Sequence, residues 1–115
     1  MAVITQTFAT DGPAAATLFR TVLSASDTLT YTAGSRQVAV FYNTTASAIT
    51  ATIVGSAATT ITPAGYGGTI SVAAGKAIVV GASATVLVEL DGISAYLVGN
   101  ITITGGVGLT AHLYV

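Results

Sequence analysis

The most closely spaced carboxylates in the sequence are Glu89 and Asp91, two residues apart in the run TVLVELDGI. Paired carboxylates can act as general acid and general base, and on one continuous strand both would point to the same face. However, no His or Lys lies near them in the sequence to complete a catalytic set. Asp91 also precedes Gly92, and Asp-Gly is a frequent hairpin turn. We therefore expect Asp91 to be a turn residue and Glu89 to be a charge on a strand surface or interface.

His112 and the glycine-rich run GYGG at residues 65–68 are the other candidates for chemistry. A single His in a chain without Cys cannot form a histidine or thiolate metal cluster, and no G-x-S-x-G-like elbow occurs for a nucleophilic triad. The GYGG run lacks the lysine and the following helix of a phosphate-binding loop. We expect a glycine turn that packs or displays Tyr66, a surface or interface role for His112, and a protein with no cofactor, metal or enzymatic activity.

Two sequons, which begin at Asn43 and Asn100, would be glycosylation sites in a secreted protein. The first residues, MAVITQTFATDGP, lack the basic and continuous apolar regions of a secretory signal. We therefore expect a chain that is used without export, in which Asn43 ends a strand and Asn100 lies in a turn.

The composition limits the partners. Only 6% of the 115 residues are charged and 52% are hydrophobic, whereas an average soluble domain has about 25% charged residues. Three basic residues and a net charge of -1 are too little to bind a phosphate backbone, so we expect no nucleic acid partner. The uncharged run from 47 to 75 is interrupted by Ser, Thr, Pro and Gly, unlike a membrane-spanning helix, and we expect no membrane partner.

Period-two alternation of apolar and polar residues predicts an all-β fold. In the run from 47 to 54, Ile49, Ala51 and Ile53 should face the core and the intervening Thr residues should face outward. Turn residues separate further predicted strands at 27–32, 36–42, 59–62, 68–72, 77–80, 85–90, 93–98, 100–104 and 108–115. The strongest predicted hairpin is 85–98, with Asp91-Gly92 as its turn.

These elements predict one antiparallel β-sandwich domain, jelly-roll-like, with roughly eight to ten short strands over residues 17–115. The segment 17–23 favours a strand, with a short helix as the alternative. Residues 1–16 are predicted to be an N-terminal arm or extension that could pair with another subunit. Arg20, Arg36, Asp27 and Lys76 are expected to be solvated surface charges or, in so uncharged a chain, ion-pair partners across a subunit boundary.

The chain also carries a family resemblance, in three runs and in the closing segment 90–115. The runs are VAVFYNTTASAITATIVG at 38–55, TPAGYGGT at 62–69 and SVAAGKAIVV at 71–80. From about residue 27 onward this strand and turn pattern resembles small structural proteins of tailed bacteriophages, in particular capsid decoration (cement) proteins.

The resemblance implies a non-enzymatic protein that binds and stabilises the outer capsid surface of the virion, after assembly in the host cytoplasm. Its implied partners are the major capsid protein and copies of itself, as a homodimer or homotrimer. The candidate interface residues are Arg20, Arg36, Tyr66, Lys76, Glu89 and His112. The alternative is a receptor- or carbohydrate-binding module of a phage tail or head fibre, in which Tyr66 or Tyr31 would stack on a sugar.

Overall fold

A computed structural model describes residues 2–7, 20–65 and 67–114. Short strands dominate this part of the chain, together with one 3-10 helix at Leu90–Tyr96. The strands are β1 (Ala2–Val3), β2 (Gln6–Thr7), β3 (Thr21–Val22), β4 (Ser26–Leu29), β5 (Val38–Asn43), β6 (Ile49–Gly55), β7 (Thr60–Ile61), β8 (Ile70–Ser71), β9 (Lys76–Val80), β10 (Thr85–Glu89), β11 (Ile101–Thr104) and β12 (Leu109–Tyr114). No helix in the described ranges is long and apolar enough to cross a membrane.

Two sheets face each other across one core, which confirms the predicted all-β sandwich. Sheet A has the strand order β1-β4-β11-β6-β9, and sheet B has the order β10-β5-β12-β2, with β3 also paired to β12. All the pairs within these sheets are antiparallel except β1 with β4 and β2 with β12. From β3 onward, successive strands alternate between the two sheets, with one exception. The chain leaves β6 of sheet A, forms the small β7–β8 hairpin and returns to sheet A as β9.

The core forms because alternate residues of both sheets are apolar and turn inward. In β6, Ala51 and Ile53 are buried and Ile49 is partly buried, which confirms the predicted facing of this strand. Opposite them, Phe41 of β5 is fully buried and packs in the same cluster. The outward positions are therefore the ones available to a partner.

The N-terminal segment joins the two sheets along one side of the sandwich. β1 adds to the edge of sheet A beside β4, and β2 adds to the edge of sheet B beside β12. Between them Ile4 is 4% exposed, and its N–H donates to the carbonyl oxygen of Thr28 at 2.8 Å. The predicted arm boundary at residue 16 lies outside the described residues, and pairing of the arm with another subunit stays a prediction. The predicted strand at 17–23 is seen in its described part as β3.

The predicted hairpin at 85–98 is wrong. After β10 the chain forms the 3-10 helix instead of a second strand, and Asp91 lies in its first turn. The core contacts of this segment come from the buried Leu90 and Leu97 and from Ile93, which packs against the core. These residues are three and four positions apart, and such spacing suits a helical segment. Burial of these three side chains outweighs the local hairpin preference of Asp91-Gly92.

Candidate interaction surface

The outer face of sheet B carries several exposed apolar side chains, and we call it the sheet B face. It consists of the outward side chains of β10, β5, β12 and β3. Strand register aligns them in three rows, which are Leu87–Val40–His112, Thr85–Tyr42–Thr110–Val22 and Glu89–Val38–Tyr114.

Large apolar groups of this face are open to solvent. Leu87 is 66% exposed, Val22 is 71% exposed and Tyr42 is 43% exposed. Glu89 carries the only charged side chain in the three rows. A contiguous apolar patch that is rimmed by polar groups is typical of a protein-binding surface.

His112 and Tyr114 form an aromatic pair on the same face. Their ring centroids are 5.8 Å apart and the rings are 10° from parallel. The Tyr114 hydroxyl lies 3.2 Å from Nδ1 of His112 and donates to it when the imidazole proton is on Nε2. Stacking and this hydrogen bond hold two flat side chains in place, so little conformational entropy is lost when a partner covers them.

The other predicted interface residues are spread over the molecule. Glu89 ends β10 and lies on the sheet B face together with His112. Arg20 is exposed and directly precedes β3. Lys76 begins β9 and is exposed, at the opposite side of the sandwich from the N-terminal segment. Arg36 is exposed in the loop before β5, with a left-handed φ of 59°. Tyr66 lies outside the described residues.

Asp91 fixes a loop and is not the hairpin turn residue that the sequence predicts. Its carboxylate accepts hydrogen bonds from the Tyr31 hydroxyl at 2.6 Å, the Gly34 N–H at 3.0 Å and the Arg36 N–H at 3.2 Å. The bond from Tyr31, then that from Gly34, lowers the pKa of Asp91 below its ordinary value, and the same bond raises the pKa of Tyr31. Asp91 therefore holds the loop 31–36, while Glu89 lies on the sheet B face.

Two buried polar side chains were not recognised from the sequence. Asp27 was expected at the surface, but it is fully buried, and it accepts from the N–H of Ala2 at 3.1 Å and from the N–H of Ser24 at 2.8 Å. The sequence does hold one indication of this burial. Asp27 lies two residues before Leu29 in β4, so both side chains point to the core side of the strand. Gln37 is also buried and bonds to Thr32 N–H at 2.7 Å.

The sequon residue Asn43 ends β5, as predicted, and its side chain is buried. Its Nδ2 donates to the carbonyl oxygens of Ser47 at 2.8 Å and Val80 at 3.0 Å, and its Oδ1 accepts from Thr45 N–H at 2.8 Å. Asn43 is therefore a structural residue of the loop after β5. Asn100 follows Gly99 in an exposed turn, which also agrees with the prediction.

A shallow groove of about 610 Å³ lies over β1, β4 and β11 of sheet A. Its lining is uncharged and combines one aromatic ring with hydroxyl and amide groups: Val3, Thr28, Leu29, Thr30, Tyr31, Gly99, Asn100, Ile101 and Thr102. Such a lining can bind a neutral polar ligand.

Among residues 2–7, 20–65 and 67–114, no cluster of three or more His, Cys, Asp or Glu side chains is arranged to hold a metal ion. Comparison with known proteins finds no match to a family model, to a curated protein or to a solved structure.

Proposed function

We propose that this chain is a non-enzymatic structural protein of a tailed-phage virion that binds the outer capsid surface through the sheet B face and stabilises the shell. The choice of a capsid rests on the family resemblance. One observation supports the docking surface: the aligned outward side chains of the sheet B face are nearly all uncharged. They include the exposed Leu87 and Tyr42 and the His112–Tyr114 pair.

The low charge of the sheet B face reduces the free-energy cost of desolvation when a partner covers it. A charged side chain that is buried in an interface without a partner loses its hydration at a large free-energy cost. The sheet B face holds one carboxylate, Glu89, at the end of its row, so the rest of the face can be covered without that loss. Burial of its apolar groups is favourable at about 25 cal/mol per Å².

Repetition on a symmetric shell strengthens this mode of binding. Each copy can bind modestly, because contacts between neighbouring copies add avidity over the lattice. The low net charge of -1 also leaves little repulsion between neighbouring copies.

Tyr42→Asp tests the docking surface, because it places a carboxylate on the exposed face of β5, between Thr85 of β10 and Thr110 of β12. We expect binding to purified heads of the encoding phage to weaken by roughly 30-fold, the loss of about 2 kcal/mol that defines a hot spot. The matched control is Thr50→Asp, at an exposed position on the outer face of sheet A. Equal binding by the two folded variants would overturn the assignment of the face, and heads that do not bind the unmodified protein would overturn the decoration role.

A carbohydrate-binding module is the second candidate, because the groove on sheet A combines the Tyr31 ring with Thr28, Thr30 and Asn100. Sugar sites pair an aromatic surface with hydroxyl and amide partners. A glycan array with the unmodified protein, Tyr31→Ala and Asn100→Ala tests it. Binding that is lost in both variants would favour this candidate, and an array without binding would remove it.

A further inference from the structure

The edge of β10 that faces away from β5 has a geometry suited to antiparallel pairing with the same edge of a second copy. β10 is the terminal strand of sheet B and pairs with β5 on one side. No strand in the described part of the chain pairs with its other side. Its five residues, TVLVE, are β-branched or apolar up to the final Glu89. An uncovered edge of this kind is a template for another strand.

The hydrogen bonds to β5 show which backbone groups of β10 are free. The Asn43 N–H donates to the Ala84 carbonyl at 2.9 Å, and the Leu90 N–H donates to the Gln37 carbonyl at 2.9 Å. Because bonding alternates along an antiparallel ladder, Val86 and Val88 also bond toward β5. The N–H and C=O groups of Thr85, Leu87 and Glu89 therefore point away from β5, along the open edge.

We propose that two copies of this chain pair antiparallel along β10, about a two-fold axis at Leu87. In this register Leu87 lies opposite its own copy, and each Thr85 lies opposite the partner's Glu89. The backbone N–H and C=O groups of these residues point away from β5, so in this register all three residues of each strand can form hydrogen bonds with the other copy. The inference does not rest on the proposed function.

Side chains support the same register. On the outer face, the Thr85 hydroxyl meets a carboxylate, and the two Glu89 groups are kept apart at opposite ends of the paired strands. A register centred on Glu89 would instead place two carboxylates side by side, which is unfavourable. On the inner face, Val86 of one copy lies opposite Val88 of the other, and both are only partly buried in the single chain.

The edge of sheet A is less suited to such pairing. β9 begins with the exposed Lys76, and a lysine on an edge strand opposes addition of another strand. Pairing of β10 would make the sheet B faces of two copies continuous, because the two-fold axis stands perpendicular to the sheet.

Single-cysteine variants test the register directly, because the chain has no Cys. Residues in a hydrogen-bonded antiparallel pair have Cα atoms about 5.5 Å apart, within the roughly 4.4–6.8 Å range of disulfides. Leu87→Cys should thus form a disulfide dimer under mild oxidation. Thr85→Cys should not, because its copy lies about 14 Å further along the strand, at 3.4 Å for each of four residues. Equal cross-linking at both positions, or none at Leu87→Cys, would overturn the register.

A charge pair at one position gives an independent measurement by sedimentation equilibrium. Thr85→Lys should tighten the dimer and Thr85→Glu should weaken it, each by roughly 2- to 30-fold, since the pair with Glu89 occurs twice. The matched controls are Thr104→Lys and Thr104→Glu, at an exposed position of β11 in sheet A. A protein that is monomeric at every concentration, or equal shifts at positions 85 and 104, would refute the proposal whatever the result with phage heads.

Discussion

Removal of the buried carboxylate of Asp27 should strongly destabilise the protein. Asp27 is fully buried, and its two oxygens accept from the backbone N–H groups of Ala2 and Ser24. Its Oδ1 also accepts from the Ser24 hydroxyl at 2.8 Å, although that hydroxyl has a second acceptor in the carbonyl of Ser26. Asp27→Ala therefore leaves two backbone donors without their acceptor.

The structure sets the magnitude. A fully buried donor that loses its partner costs about 1–3 kcal/mol, and these two donors are partly buried, so Asp27→Ala should lower the free energy of unfolding by roughly 2 kcal/mol or more. Asp27→Asn keeps one acceptor oxygen and should lose about half of that amount. The total stability of a domain is about 5–15 kcal/mol, so the alanine variant should lose a substantial part of its stability.

Urea unfolding at neutral pH, followed by circular dichroism, measures both variants. Thr104→Ala, an exposed position on the neighbouring strand β11, is the matched control and should change stability by less than about 0.5 kcal/mol. A change of less than about 0.5 kcal/mol for Asp27→Ala would refute the view that this carboxylate holds β1 and the chain before β4 together.

Three further predictions concern single residues. Gly55→Ala should destabilise the protein by about 3 kcal/mol or more in thermal unfolding, because its Cβ would lie 2.2 Å from the Val98 carbonyl oxygen, whereas Gly92→Ala meets nothing within 4 Å and should be tolerated. Because the pKa of Asp91 is lowered, the stabilisation by its carboxylate is present above the ordinary value of 3.8 and is lost as the pH falls through the lowered pKa. The free energy of unfolding of Asp91→Asn in urea should therefore depend less on pH in this acid range than that of the unmodified protein. An unchanged pH dependence would contradict this. Asn43→Ala should lower the midpoint of thermal unfolding and the free energy of unfolding by about 2 kcal/mol or more, and a wild-type midpoint would show that its hydrogen bonds are dispensable.

The alternation of apolar and polar residues is sufficient to predict the longer strands, because every second residue of these strands faces the core. β6 is the clear example, with Ala51 and Ile53 turned inward and Thr50 turned outward. The prediction failed at 90–97, where a local Asp-Gly signal conflicts with apolar residues at helical spacing. β1 and β2 have two residues each, which is too short for any periodic signal.

The candidate surface could not be predicted in full, because it depends on which strands are neighbours. Leu87, Val40 and His112 form one row although they are far apart in sequence. His112 and Glu89 were identified individually, but Tyr42 and Leu87 carry no local signal of exposure. Asp27 was assigned to the surface because a carboxylate is rarely buried, and its acceptance of hydrogen bonds from Ala2 and Ser24 arises from tertiary contacts.

Electron cryomicroscopy of the virion tests the central proposal most directly, because it gives the location, copy number and orientation of the protein at once. We expect density for this chain on the outside of the capsid, in a fixed ratio to the major capsid protein, with the sheet B face toward the shell. Absence of the chain from the head, or its location at a tail fibre, would contradict the account.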